Sequence, residues 1–72
     1  MPLENLKLRT ELETHVLNRT RGQVRNLDIE LHPEGVILRG QALSYYVKQL
    51  AQQGVKEFLP GLQLENAIQV SG

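Results

Sequence analysis

Apolar residues recur along this chain with two periods, one of about four and one of two. Leu8, Leu12 and Val16 fall at every fourth position, with Leu17 beside them, which is the stripe of a helix buried along one side. Thr10-Glu11-Leu12-Glu13 has the spacing of a capping box, so the pattern predicts a first helix from Thr10 to about Arg19. Residues 1–9 ahead of it read as an N-terminal extension, partly helical or disordered. Pro2 suits a first helical turn, but Leu3, Leu6 and Leu8 give only a ragged apolar side. Gly22 is placed to take the left-handed conformation that ends a helix.

The period then changes to two. Val24 to Leu31 reads as the first strand, Leu27, Ile29 and Leu31 alternating with Asp28 and Glu30, the signature of one wet face. Asn26 fits that strand poorly, so pairing is expected to begin nearer Leu27. His32-Pro33-Glu34-Gly35 reads as a type I turn joining two antiparallel strands through a four-residue loop. The second strand runs from Val36 to about Gln41. Its continuous Val36-Ile37-Leu38 implies burial on both sides or one apolar residue left on the open face. Gly40 leaves room for another backbone to come close.

A second helix follows, with Ser44 as its N-cap and Pro60-Gly61 as its stop. Val47, Leu50, Ala51, Gly54, Val55 and Phe58 fall on one face, and lysine, glutamine and glutamate on the other. Gly54 on the apolar face implies close packing on the sheet or the first helix. Leu62 to Val70 is the last strand, with Leu62, Leu64, Ile68 and Val70 on one side and Asn66 interrupting them. The order αββαβ predicts a two-layer α+β domain over residues 10–72, a three-stranded sheet with two helices packed on one face. Strand order is left open by the pattern.

Composition narrows the function classes. In 72 residues there is no cysteine, so no disulfide or thiolate metal site supports this small core. Eight basic and eight acidic side chains cancel, which argues against a nucleic-acid-coating protein. The αββαβ order resembles that of RNA-binding KH folds, but their G-x-x-G phosphate clamp is absent. No window has the ~18 apolar residues of a membrane-spanning helix. The charged start, MPLENLKLRTELE, lacks the apolar core of a signal peptide. A complete chain of this kind is expected in the cytoplasm, and one excised from a longer precursor in the periplasm or at the envelope.

Candidate chemistry is sparse. His15 and His32 are the only histidines, and neither has a nucleophile or paired carboxylate in a catalytic or metal-ligand spacing. The reading is no enzyme, no cofactor and no metal. Arg19, Arg21 and Arg25 form the densest basic cluster. They suit either a solvated helix end or an anionic headgroup. Tyr45 and Tyr46 open the second helix, with Arg39 and Lys48 as neighbours in sequence. Both rings cannot face the core, so one is expected partly exposed. Packing across the helix–strand corner competes there with a membrane or protein interface.

Gly35-Val36-Ile37-Leu38-Arg39-Gly40, the helix after it, and Gly61-Leu62 followed by Leu64-Glu65-Asn66-Ala67-Ile68-Gln69-Val70 together resemble the BON domain. This is a small bacterial module of osmotic-stress periplasmic proteins and of outer-membrane and secretion-related proteins. The likeness runs from about Leu12 to Val70, and Tyr45–Ala51 is similar to short single-module members of planctomycete-type bacteria. Family members usually carry one more residue between that last glycine and the final strand motif. The resemblance implies an αββαβ fold without catalysis that binds phospholipid surfaces or other envelope components, often as paired modules. A lone module could pair by homo-oligomerising through its strand edges. On this reading Arg19, Arg21, Arg25, Tyr45, Tyr46 and Lys48 would meet an anionic phospholipid. The alternative is a protein-interaction or self-assembly module, with an envelope-associated protein or a second copy as partner.

Overall fold

The computed structural model describes the backbone of residues 2–71 and the side chains of residues 6–71. Helix α1 (Pro2–Thr20), strands β1 (Val24–His32) and β2 (Gly35–Ala42), helix α2 (Tyr45–Phe58) and strand β3 (Gln63–Val70) follow one another. β2 is central, with β1 antiparallel on one side and β3 parallel on the other. This is the predicted α+β order, with both helices packed against the sheet.

Register explains how one face became the core. Ile29 lies opposite Leu38 and Leu31 opposite Val36. Across the parallel pair Val36 meets Leu64 and Ala42 meets Val70. Onto this face α1 brings Leu12 and Val16, and α2 brings Val47, Ala51 and Val55, all buried. Ile37 points the other way, half-buried among polar neighbours, so the apolar run in β2 leaves one residue on the open face. Asn66 interrupts the apolar side of β3 for a reason the pattern did not show. Its Nδ2 donates to the Lys48 carbonyl oxygen at 3.0 Å, and its Oδ1 accepts from the Ile68 N–H at 3.2 Å. It ties β3 to α2.

Four local expectations need correction. α1 begins at Pro2 rather than Thr10. Thr10 is an interior residue whose hydroxyl donates to the Leu6 carbonyl at 2.9 Å, so it follows the helix and does not cap it. Proline at the first helical position loses no hydrogen bond. β1 begins at Val24, ahead of a bulge between Arg25 and Asp28. Asn26 adopts φ +55° there, which asparagine tolerates better than most residues. The bulge presses on Gly40, where a Cβ would lie 3.0 Å from both the Arg25 carbonyl oxygen and Val24 Cγ1.

The β1–β2 connection is the pair Pro33-Glu34, closed by His32 opposite Gly35. It is two residues shorter than expected. Finally, Gly22 takes the expected left-handed conformation, at φ +71°, but Arg21 ahead of it takes it as well, at φ +55°. The Gly22 N–H donates to Leu17 O at 2.9 Å and the Arg21 N–H to Asn18 O at 3.3 Å, the paired bonds of a Schellman end.

Candidate functional site

Both helices and all three strands contribute to one end of the molecule, which measures 38 × 19 × 17 Å. Register sets Val24 beside Ala42 and Ala42 beside Val70, and the Ser71 N–H closes on the Ala42 carbonyl at 2.9 Å. The C-terminal turn of α1 and the first turn of α2 meet above these strand ends. Ser44 starts α2 immediately after β2, its Oγ accepting from the Val47 N–H at 3.2 Å.

That cap decides where the tyrosines go. Val47 and Ala51 are held in the core. At about 100° per helical residue, Tyr46 and Tyr45 are then turned away from it. Leu43, Tyr45 and Tyr46 are 65%, 64% and 70% exposed. The expected packing of one ring across the helix–strand corner does not occur; both rings stand in solvent. Leu43, between the last residue of β2 and the cap, completes the apolar corner. Sequence reasoning missed it because it belongs to neither periodic run.

The basic cluster divides. Arg19 turns along α2, with NH2 3.3 Å from Gln53 Oε1 and Nε 3.1 Å from Glu57 Oε1, the latter without hydrogen-bond geometry. Its charge is already answered. Arg21 stays at the helix end, in a cleft of about 520 Å³ that it lines together with Arg19, Tyr46, Asn18, Gln23 and Leu50. Arg25 lies opposite Gln41 at the same end of the sheet, exposed. Lys48 follows one turn into α2, half-buried. None of the ion pairs among the described residues involves Arg21, Arg25 or Lys48.

Arg39 is not a neighbour of the tyrosines. It sits on the open sheet face, 2.6 Å from Glu30 and 4.0 Å from Asp28. Its hydrogen bond holds the Glu30 carboxyl below the usual glutamate range, and the same bond raises the guanidinium. His15 lies 3.2 Å from Glu57 Oε1 and 5.6 Å from the Phe58 ring centre, at the α1–α2 seam, while His32 is exposed beside the hairpin turn. Among the described residues no three His, Asp or Glu side chains converge as a metal site, and no helix is long and apolar enough to cross a membrane.

Charge is distributed unevenly in a way the zero net charge hides. Residues 18–27, 40–50 and 66–71 build the tyrosine end. They contain four of the eight basic residues (Arg19, Arg21, Arg25 and Lys48) and none of the eight acidic ones. An exposed apolar corner there is ringed by positive charge alone. No protein-family model, curated protein or solved structure matches the chain.

Proposed function

We propose that the chain is a non-catalytic, BON-like binding module that docks on anionic phospholipid surfaces through its tyrosine end. The observation that carries this reading is the coincidence of Leu43, Tyr45 and Tyr46 in solvent with the charges of Arg21, Arg25 and Lys48, which form no ion pair among the described residues. Rings with an apolar body and a polar tip suit the headgroup layer. Each nearby Lys or Arg gains about 1 kcal/mol against an anionic leaflet. The contributions are additive in kind: the rings supply area, and the cations supply orientation and long-range attraction. Arg19, paired with Glu57, adds little to either.

Flotation with anionic and neutral vesicles tests this. Anionic vesicles should carry the protein upward at low salt, and neutral ones should not. Replacing Arg21, Arg25 and Lys48 together by glutamine should weaken binding on the order of 100-fold. Equal flotation with both vesicle types, or none with anionic vesicles at low salt, would remove the reading. Self-assembly is the second reading, for which the exposed Leu43, Tyr45 and Tyr46 would equally serve.

A further inference from the structure

The two edges of the sheet are built differently. β1 is broken by its bulge between Arg25 and Asp28, with Asn26 at φ +55°, and a bulged edge is a poor template for another strand. β3 pairs with β2 without a break from Gln63 to Val70, and its sequence QLENAIQV holds no proline, lysine or arginine. Bulges, prolines and lysines are the devices that blunt an edge; β3 has none of them, and Glu65 is its one charge. The Ser71 N–H donates to the Ala42 carbonyl oxygen at 2.9 Å, and Ala42 lies beside Val70. Successive residues of a strand turn their backbone groups to opposite sides, so the odd-numbered residues of β3 bond to β2. The N–H and C=O groups of Leu64, Asn66, Ile68 and Val70 therefore point outward. Among the described residues only the Ile68 N–H of that set has a partner, Asn66 Oδ1 at 3.2 Å.

We propose that β3 pairs antiparallel with β3 of a second copy about a twofold axis through Ala67, joining two sheets into one. Leu64 then faces Val70 of the second copy and Asn66 faces Ile68, so every outward donor and acceptor of the strand meets its counterpart. The side chains match in the same register. On the helix side half-buried Leu64 covers Val70, which is 42% exposed. On the open side Glu65 meets Gln69, which keeps the strand's one charge away from its own copy. Ala67 meets Ala67, small enough for the close approach of a non-hydrogen-bonded pair. Shorter overlaps leave outward groups unmatched, and the one that sets Leu64 against Asn66 puts Glu65 against Glu65. A twofold running along the strands would set donor against donor. The antiparallel contact is isologous and closes at the dimer. The inference does not rest on phospholipid docking.

Two features limit its strength. Residues 64–70 alone make a contact short of the ~800 Å² per partner of a stable complex, so the expected dissociation constant is on the order of 0.1–1 mM. The axis stands normal to the sheet, which keeps the helices of both copies on one side and brings α2 beside α2. The flank of α2 above β3 is the one bonded to Asn66, through the Lys48 carbonyl and Gln52 Oε1. Two Lys48 side chains brought near each other oppose the contact, and salt screens that opposition.

Sedimentation equilibrium of the lipid-free chain, carried to about 2 mM, reads this directly. Average mass should rise towards that of a dimer and no further, and association should strengthen with salt. Amide exchange at Leu64, Asn66 and Val70 should slow as concentration rises, while the amides of β1 do not change. Ala67→Lys and Ala67→Glu each set like charges across the axis, and each should be monomeric alone. Mixed, they should associate as 1:1 dimers. Val70→Pro removes an outward donor and leaves the bonds to β2 in place, and should weaken association at least about tenfold. Circular dichroism keeps loss of fold apart from loss of contact. A wild type that stays monomeric throughout, a like-charge variant that still self-associates, a mixture that stays monomeric, or association abolished by salt would each overturn the pairing. Neither Ala67 nor Val70 enters vesicle docking, so flotation stands or fails separately.

Discussion

Arg21 carries a conformational cost at the same position as a charge that the proposed docking would use. A left-handed non-glycine residue costs roughly 1–2 kcal/mol, and Arg21 holds φ +55° to close α1. Glycine there would relieve that cost but lose about 0.5–1 kcal/mol through the freer unfolded chain. Arg21→Gly should therefore raise unfolding stability by a net of about 0.5–1 kcal/mol in urea titration, while weakening anionic-vesicle binding about fivefold. A variant that moves both quantities in one direction would contradict the assignment. Asn66 is the opposite kind of residue, wholly structural. Asn66→Ala removes the donor to Lys48 O and the acceptor for Ile68 N–H, and should lower stability by about 1–2 kcal/mol. Single residues were legible in the sequence as types but not as directions. Arg19, Arg21 and Arg25 look like one cluster, yet they occupy a helix end, a turn and a strand, and only one of them answers Glu57. Asn66 looked like an interruption because its partner, a helix carbonyl, leaves no trace in the periodicity.

At the scale of elements, two glycines make contrasting tests of how tightly the layers close. Gly54 lies in α2 against α1, and a Cβ there would sit 3.4 Å from Arg19 Cγ and 3.5 Å from Val16 Cα. That is ordinary contact, so Gly54→Ala should stabilise the fold by about 0.5–1 kcal/mol through helix propensity alone. Gly35 opens β2 beside β3, and a Cβ there would overlap the Gln63 carbonyl oxygen. Backbone on the neighbouring strand cannot swing aside like a side chain, so Gly35→Ala should cost more than about 2 kcal/mol. Comparing the two melting curves checks both signs. The strand–helix–strand core of the domain was readable because its caps are local: Ser44 begins α2 and Pro60-Gly61 follows it. The start of α1 was misread for the same local reason. The Thr10–Glu13 spacing fits a cap, but nothing in those four residues shows that the helix continues upstream. The bulge in β1 shows in the sequence only as an ill-fitting Asn26, because the residues that pair ahead of it, Val24 with Ala42, lie eighteen positions apart.

On the whole molecule, a small core and a polarised surface separate stability from binding. A domain of 72 residues is expected to hold about 4–11 kcal/mol of stability. Leu38 lies fully buried at the centre of the sheet, and Leu38→Ala should remove about 2–5 kcal/mol, enough to leave a substantial unfolded fraction on mild warming. Tyr45 and Tyr46 are the most exposed of its aromatic rings, and substituting either should change stability by less than about 0.5 kcal/mol. The same tyrosine changes should weaken vesicle docking. The net charge of zero hid this polarity, since cancellation over the chain says nothing about its arrangement in space. The three acid-free segments are separate in sequence, and the antiparallel β1–β2 and parallel β2–β3 pairings bring them to one end. A linear chain can therefore read as neutral while one end of its folded form is aromatic and carries positive charge alone. If urea midpoints of the tyrosine variants fell as far as that of Leu38→Ala, the rings would belong to the core, and the surface role assigned to them would not survive.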